Sequence, residues 1–355
     1  MSEDADSAVA ALQERVRRAA QDREALCIAG GGTKSFLGRA PRGTPCSVHA
    51  VQGVVHYEPT ELVVTVRAGT GLAELESTLA QSGQMLPFEP PAFGQGATIG
   101  GTIACGLSGP CRPYRGAARD FVLGVRCING KGDALRFGGE VMKNVAGYDV
   151  SRLMAGSMGT LGILTEVSLK VLPLPACNQT RAFEMSGESA IELMTSLLGR
   201  SLPVSATAYL DGVLRVRLSG SEAAVSSAAG ALGGDLEPEG DAFWSALKEH
   251  RLDFFSEDSP LWRISLKPQN DVIHFPGKTL IDWGGAQYWV KSDTGFEALS
   301  ERVRPYGGYV TGFGGRDQGA RSDVPQDSVL KLSRRLKAAF DPAGILNPGR
   351  LFAED

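Results

Sequence analysis

The placement of glycine is the feature that most restricts the fold of this chain. Glycine makes up 45 of its 355 residues, well above the usual share of about 7%. The glycines are not spread as a low-complexity linker but cluster at 30–32, 94–116, 130–162, 284–285 and 307–315. Clusters of this kind in a folded protein mark tight turns or places where the backbone approaches a ligand closely.

Length and charge narrow the class of protein. A chain of 355 residues suggests two or three domains, and it can bury a core without disulfide bonds. The net charge of −4 argues against nucleic acid as a partner, because phosphate binding needs a surplus of Lys and Arg on one face. The acidic start lacks an apolar signal region, and no run reaches the length of a membrane span. We therefore expect a cytoplasmic location.

Cysteine and histidine spacing argues against a metal centre. The six cysteines form no C-x-x-C pair and lie in apolar or strand-like stretches, which predicts buried, reduced thiols. An iron–sulfur cluster requires closely spaced cysteines, so none is predicted. The histidines are also widely spaced, at His49, His56, His250 and His274.

Hydrophobic periodicity predicts an α+β fold. In the first half it indicates a helix capped by Asp6 or Ser7, a strand, a second strand, a helix ending at Gly83, a hairpin and a further strand, at 6–22, 26–29, 62–66, 72–83, 121–137 and 162–172. The second half alternates helices at 189–199, 221–232 and 241–250 with strands at 204–210, 213–218, 261–267, 279–283 and 286–291. A helix over 325–340 follows. We expect a glycine-rich domain at 1–175, a smaller α+β domain at 176–310, and a C-terminal helical segment at 311–355 that packs back on the first domain.

The first glycine cluster directly follows a short apolar strand. Backbone N–H groups exposed by consecutive glycines form a nest that binds anions, above all phosphate. Thr33 and Ser35 add hydroxyl donors, and Lys34 could add a positive charge. The alternative interpretation is a tight turn in which Lys34 is solvated. The residues concerned are Gly30, Gly31, Gly32, Thr33, Lys34 and Ser35.

The second cluster lies between Pro87 and Arg119. Residues 96–104 are too apolar for a solvent loop and too glycine-rich for a simple strand, so we expect backbone lying flat against a planar ligand. Arg112, Arg115 and Arg119 follow, either as a solvated face or as a fork for a phosphate or carboxylate. The third cluster runs from Lys143 to Thr165, and its core, 156–165, leads directly into a strand, which again suggests contact between backbone and ligand.

These three clusters, in this order, resemble the FAD-binding domain of the vanillyl-alcohol-oxidase or PCMH-type flavoproteins. Within that family they are most similar to the FAD-binding E subunits of bacterial glycolate oxidases. The resemblance covers residues 26–175 and 335–351, and 176–310 carry little recognisable motif. Further matching stretches are Leu86-Pro87, Tyr114–Gly116, Arg119-Asp120, 143–149, Phe340–Pro342 and Leu346–Gly349.

The resemblance implies a division of labour among the cofactor residues. The stretch 30–35 would hold the pyrophosphate of FAD. The ribityl and phosphate path would be lined by Thr98, Gly100, Gly101 and Thr102, and Pro87 of the matching stretch Leu86-Pro87 is also expected to bind the cofactor. The neighbourhood of the flavin ring would contain Gly109, Arg115 and Gly116. The adenine side or ring edge would contact Gly156, Thr160, Gly162 and Ile163.

Two departures from the family pattern affect the chemistry. Covalent members carry a linking His, often in the first phosphate loop, and no His lies between 26 and 48, so we predict non-covalent FAD. Related D-2-hydroxyacid dehydrogenases also carry a C-terminal His-rich metal motif, and residues 309–316 are similar to that segment without its histidines. The usual ligands and the obvious general base are therefore missing.

The resemblance implies an FAD-binding subunit that oxidises glycolate, a 2-hydroxyacid, to glyoxylate. Electrons would pass to a larger flavin subunit and an iron–sulfur subunit, and these partners would hold the complex peripherally at the inner membrane. Two alternatives stay open: a non-catalytic or electron-relaying subunit, and a stand-alone dehydrogenase for another 2-hydroxyacid. The catalytic residues are unknown, and the candidates for handling the substrate are Arg115, Lys143, Tyr148 and Arg316.

Overall fold

The computed structural model describes residues 2–40, 42–139, 149–256, 258–269, 271–314, 322–323 and 327–351, with side chains from residue 4 onward. The helices are α1 Ser2–Asp22, α2 Leu72–Gln81, α3 Ile99–Cys105, α4 Arg112–Arg115, α5 Val150–Leu153, α6 Gly187–Leu198, α7 Glu222–Leu232, α8 Gly240–Lys248, α9 Asp253–Ser256, α10 Phe296–Val303 and α11 Asp327–Phe340. The strands are β1 Leu26–Ala29, β2 Thr44–Ser47, β3 Val54–Glu58, β4 Val63–Arg67, β5 Gln84–Met85, β6 Val122–Ile128, β7 Ala134–Gly138, β8 Ile163–Lys170, β9 Leu172–Pro173, β10 Cys177–Glu184, β11 Val204–Leu210, β12 Val213–Gly220, β13 Asp235–Leu236, β14 Leu261–Ser265, β15 Lys278–Asp282, β16 Gln287–Lys291 and β17 Tyr309–Gly312.

Two compact units share the chain. The first contains residues 1–107, 117–173 and 324–355, and the second contains 108–116 and 174–323. The short segment 108–116 therefore belongs to the second unit although its sequence neighbours belong to the first. We refer to them as the first and second units.

The first unit is organised around a five-stranded antiparallel sheet in the order β3-β4-β8-β6-β7. The central strands β4 and β8 are buried over most of their length, as expected for strands with long apolar runs. Thr65 and Ser168 meet between them with a buried contact of 2.8 Å between hydroxyl oxygens, so these two buried polar groups satisfy each other. A small parallel pair, β1-β2, lies outside this sheet.

The second unit contains an eight-stranded antiparallel sheet in the order β13-β10-β12-β11-β15-β16-β14-β17. A hydrophobic cluster lies on one face of this sheet and includes side chains from α6, α7 and α10. The β11-β12 hairpin turns at Asp211 and Gly212, whose φ angles are 51° and 80°. Positive φ at both central residues defines the type I′ turn that the Asp-Gly pair predicts.

The α+β class and most predicted elements are confirmed, and two interpretations were wrong. Residues 99–105, which we expected as flat backbone, form the helix α3, because Thr98 caps its first turn and Gly106 ends it with a left-handed φ of 65°. The first helix begins at Ser2, so neither Asp6 nor Ser7 is its cap. Asp6 instead accepts a hydrogen bond from Arg67 at 2.7 Å.

The described residues contain no helix that is long and apolar enough to cross a membrane. Within the same residues, no group of three or more His, Cys, Asp or Glu side chains is placed to hold a metal ion. His250, one of the four scattered histidines, stacks on Phe255 with 4.0 Å between ring centroids. Burial lowers the pKa of His250 to about 3, so this ring is neutral in its aromatic surroundings.

Candidate cofactor site

The first wall of the candidate site is the loop that follows β1. Among the described residues, the backbone N–H groups of Gly31, Gly32 and Thr33 have no hydrogen-bond acceptor. Gly32 has a left-handed φ of 71°, and such a reversal among consecutive N–H groups produces an anion-binding nest. The loop therefore offers unpaired donors to a ligand, as the glycine pattern predicted.

Two glycines of this loop are explained by how tightly it packs on a second loop. A Cβ on Gly31 would lie 1.4 Å from the carbonyl oxygen of Gly96, and one on Gly30 would lie 2.2 Å from Oγ1 of Thr98. Any side chain at these positions would push the loops apart. Gly32 differs, because a Cβ there would meet no atom within 4 Å. Its backbone alone needs glycine, and its open side is available to a ligand.

The second wall is the N-terminal part of α3. The Thr98 side chain accepts a hydrogen bond from the N–H of Gly101 at 3.3 Å and so fixes the first turn. Gly100 lets this helix approach the residue that follows β4, since a Cβ there would lie 2.7 Å from Cβ of Ala68. Thr102 is fully buried in the same helix, and its hydroxyl has no hydrogen-bond partner.

The third wall comes from the end of the chain. Asn347 accepts a hydrogen bond from the N–H of Ile28 and donates one to the carbonyl of Met158, both at 2.7 Å. It thereby ties β1 to the loop before β8. Gly159 allows this approach, because a Cβ there would lie 2.8 Å from Nδ2 of Asn347. The closing segment is thus a structural part of the site.

Two buried cations give the site a positive character. Lys34 is 6% exposed and donates to the carbonyl of Ala92 at 3.2 Å, so the solvated-lysine alternative is wrong. Arg350 is 7% exposed and donates to the carbonyls of Arg39 and Ser35 at 2.5 and 3.2 Å. Burial lowers the pKa of Arg350. Its bonded acceptors are neutral carbonyls, which leaves a net positive charge for an anion to balance.

A cavity of about 870 Å³, counting the part open to solvent, lies between these walls. The predicted cofactor residues that line it are Gly30, Gly31, Gly32, Thr33, Lys34, Ser35, Thr98, Gly100, Gly101 and Gly162. They come from three sequence clusters that only the fold brings together.

Other predicted cofactor residues lie elsewhere in the first unit. Gly156 and Thr160 line a separate recess beside Lys337, and the Thr160 hydroxyl donates to the carbonyl of Ser157 at 2.8 Å. Pro87 and Ile163 are buried. The cofactor roles of these residues and of Thr102 stay predictions.

The remaining candidates belong to the second unit or lie outside the described residues. Gly109, Arg115 and Gly116 are in the second unit, where the carbonyl of Gly109 accepts a hydrogen bond from Nε1 of Trp283 at 3.0 Å. The substrate candidates Lys143, Tyr148 and Arg316 lie outside the described residues.

Several lining residues were missed from the sequence. They include Cys27, Val48, Cys105, Met158 and Arg350. Arg350 directly follows the closing motif Leu346–Gly349, which was one available signal. Met158 lies within the third glycine cluster, which was a second signal. Cys27, Val48 and Cys105 are ordinary apolar or thiol side chains, and nothing in their local sequence distinguishes them from core residues.

Comparison with protein families agrees with this geometry. Residues 7–138 match the family described as FAD binding domain, and residues 322–351 match the one described as FAD linked oxidases, C-terminal domain. The first match contains the loop after β1 and the helix α3, and the second contains Asn347 and Arg350. The family of the first match binds FAD, so FAD is the cofactor of this domain.

Curated relatives extend the match along the chain. The Escherichia coli glycolate oxidase subunit GlcE is 47% identical over 97% of this chain and 97% of its own length. The Bacillus subtilis glycolate oxidase subunit GlcD is 25% identical over 92% of this chain and 83% of its own.

Among solved structures, an alkyldihydroxyacetonephosphate synthase matches with a TM-score of 0.67 at 17% identity, covering 95% of this chain and 74% of that one. This likeness supports the fold alone. The identity to GlcE along nearly the whole chain decides the family. The chain belongs to the FAD-linked oxidases, in the group that contains the glycolate oxidase subunit GlcE.

Proposed function

We propose that this chain is an FAD-binding subunit of a complex that oxidises glycolate, a 2-hydroxyacid, to glyoxylate. The observation that carries the proposal is its 47% identity to GlcE over 97% of both chains. At that level and coverage, relatives usually keep the reaction class, whereas a shared fold alone would not argue function. The similarity to GlcD supports the same class of reaction.

The cavity of the first unit fits FAD. The unpaired N–H groups of Gly31, Gly32 and Thr33 suit the pyrophosphate, and Lys34 and Arg350 would balance its charge. When bound, the flavin supplies the hydride acceptor for hydroxyacid oxidation. The protein's part is to hold the cofactor, orient it and exclude water.

We further propose that the flavin is bound without a covalent link. None of the described residues that line the cavity is a histidine. Cys105 does line it, but burial raises the pKa of its thiol, which leaves it mainly in the unreactive neutral form. Acid precipitation of the protein should therefore release the flavin.

The electrons that the flavin receives must leave through a partner. We propose a larger flavin subunit of the GlcD type and an iron–sulfur subunit as these partners, with the complex held peripherally at the membrane by them. The argument for the first partner is that both GlcE and GlcD are named as subunits of glycolate oxidase. The second rests on the family resemblance.

The visible spectrum of the purified chain is the direct test. A flavin spectrum that passes into the supernatant after acid precipitation would support non-covalent FAD, whereas a colourless chain that takes up no added FAD would overturn the proposal. Anaerobic glycolate then separates the alternatives. Bleaching means that the chain carries a substrate site, and a flavin that bleaches only when partner subunits are added indicates a relay subunit. Turnover without partners would support a stand-alone dehydrogenase.

A matched pair of glycine variants tests the location of the cofactor. Gly32 and Gly212 have φ angles of 71° and 80°, and a Cβ on either would meet no atom within 4 Å. Both alanine variants therefore carry a similar backbone strain of about 1–2 kcal/mol. We expect Gly32→Ala to weaken FAD binding by about tenfold or more, and Gly212→Ala to leave it unchanged. Equal FAD affinity in both would place the cofactor elsewhere.

A further inference from the structure

The two faces of the eight-stranded sheet in the second unit differ in chemistry. One face is apolar and contributes Val216, Ile264, Ile281, Tyr288 and Val310 to the hydrophobic cluster. Side chains alternate between faces along a strand, so the residues between these positions share the opposite face. That opposite face carries charged and amide side chains, which is unusual for the middle of a sheet.

Strand register brings three of these polar residues close together. Arg263 on β14 is paired with Trp289 on β16, and Gln287 on β16 is paired with Asp282 on β15. Arg263 and Gln287 flank one another diagonally, since Gln287 pairs with Ser265 two residues along. Diagonal neighbours on one face lie about 7–8 Å apart, within reach of long side chains.

Arg263 is short of partners. Its Nε is buried and has no hydrogen-bond partner, and a donor buried without an acceptor destabilises the fold. Burial lowers the pKa of its guanidinium, and the nearby positive charge of Arg112 lowers it further. A buried cation with an unused Nε donor favours the arrival of an anion.

Asp282 and Gln287 form a paired unit with one acceptor left over. Nε2 of Gln287 donates to both carboxyl oxygens of Asp282, at 2.9 and 3.2 Å. The amide oxygen Oε1 of Gln287 is then directed away from the carboxyl group, and it is buried without a partner. Burial raises the pKa of Asp282 to about 7, which disfavours full ionisation of the carboxyl group at neutral pH.

Within the described residues, no hydrogen bond joins Arg263 to Asp282, and they interact through charge alone. One side of this cluster therefore lacks an acceptor, and the other side lacks a donor. A small molecule with a carboxylate next to a hydroxyl supplies both. Its carboxylate accepts from Arg263, and its hydroxyl donates to Oε1 of Gln287, because the carboxyl group of Asp282 already accepts from Gln287 and Trp289.

We propose that Arg263, Asp282 and Gln287 form a binding site for a small 2-hydroxyacid in the second unit. Arg263 anchors the carboxylate, and the Asp282–Gln287 pair selects the hydroxyl. The proposal deepens the function proposed above and rests on it for the choice of substrate. These three residues, which are far apart in the sequence, would together recognise the substrate.

Calorimetric titration of the full-length, FAD-loaded chain with glycolate and with acetate, under anaerobic conditions, tests this site. Acetate has the carboxylate but lacks the hydroxyl. We expect the wild-type chain to bind glycolate at least tenfold more tightly than acetate, because a site built to bond a hydroxyl strongly rejects the analogue that lacks it. Arg263→Met should weaken both ligands by at least tenfold, and Arg263→Lys should weaken them less.

The selecting pair is tested through the ratio of the two affinities. Asp282→Ala and Gln287→Leu should bring the glycolate-to-acetate ratio towards one while leaving acetate binding almost unchanged. Arg215→Met is the control, because Arg215 lies on the same sheet face but is already paired with Glu237 at 3.1 Å. It should bind both ligands like the wild type.

The outcomes separate this inference from the proposed function. A chain that binds FAD but whose glycolate affinity is unaffected by Arg263→Met overturns the site and leaves the FAD function intact. Absence of glycolate binding at millimolar concentration in the FAD-loaded wild type also overturns it. A chain without FAD uptake fails earlier, at the proposed function. Arg263→Lys and the flavin spectrum of each variant show whether a loss reflects the site or misfolding.

Discussion

The two units differ in which polar groups they offer to a ligand. In the first unit, the candidate cofactor cavity presents backbone N–H groups and two cations, Lys34 and Arg350, held by backbone carbonyls. In the second, the unusual polar groups are side chains on a sheet face, Arg263, Asp282 and Gln287, with unsatisfied atoms among them. A backbone site needs glycine and leaves a trace in the sequence, whereas a side-chain site needs only register and leaves none.

In the first unit, contacts between residues far apart in the sequence hold the closing segment in place. We expect the largest loss in the free energy of unfolding when one of these contacts is removed. Nζ of Lys337 contacts Asp341 at 2.8 Å and donates to the carbonyls of Thr160 and Leu346 at 2.9 and 2.6 Å. Lys337→Met would leave the Asp341 charge buried, at a cost of about 3–5 kcal/mol. Urea denaturation measures this loss.

Lys331→Met, at an exposed position of the same helix, is the control and should change the free energy of unfolding by less than about 0.5 kcal/mol. If the two substitutions lowered the free energy of unfolding equally, the buried contacts of Lys337 would not stabilise the fold.

The second unit should show the stronger response to pH. The pKa of Asp282 is raised from 3.8 to about 7 by burial, so between these values the unfolded chain ionises first. Ionisation of Asp282 therefore costs stability as pH rises from about 4 to about 7, by at most about 4 kcal/mol. Asp282→Asn removes this loss, so its Tm relative to the wild type should increase over that range.

The exposed Asp241 provides the matched substitution, Asp241→Asn, for which the Tm difference from the wild type should stay small. A Tm difference between Asp282→Asn and the wild type that is constant from pH 4 to pH 8 would contradict the proposed ionisation of Asp282.

The cationic part of the first unit should affect the cofactor more than the fold. Arg350→Met removes a buried charge from the cavity lining, and a hydrogen bond to a charged group contributes about 1.5–3 kcal/mol. We expect FAD affinity to fall by about tenfold or more, measured by flavin fluorescence during titration. Arg39→Met is the control, because only the backbone carbonyl of Arg39 contacts Arg350. Unchanged FAD affinity in Arg350→Met would remove Arg350 from the site.

The smallest effect should come from an ion pair at the surface of the first unit. Arg67 contacts Asp6 at 2.7 Å, but the Asp6 side chain is 69% exposed. Pairs of this kind contribute up to about 1 kcal/mol and weaken with salt. Asp6→Ala should lower the free energy of unfolding by less than that, and by even less in 1 M salt. A larger, salt-independent loss would mean that Asp6 has a packing role.

Local signals predicted much of the fold. The hairpin at Asp211-Gly212 and the helix that ends near Gly83 both follow from the backbone preferences of adjacent residues. The helix α3 was missed because Gly100 and Gly101 disfavour a helix intrinsically. Tertiary packing reverses that preference, since only glycine fits at position 100 against Ala68.

By itself, the sequence determined the α+β class, the family and the loops that could approach a phosphate, because glycine placement limits the backbone directly. The tertiary structure decided which distant residues share a surface. Asn347 joins β1 across 319 positions, and Arg263, Asp282 and Gln287 meet through strand register alone. Register and long-range packing depend on the free energy of the whole fold, and no local stretch of sequence specifies them.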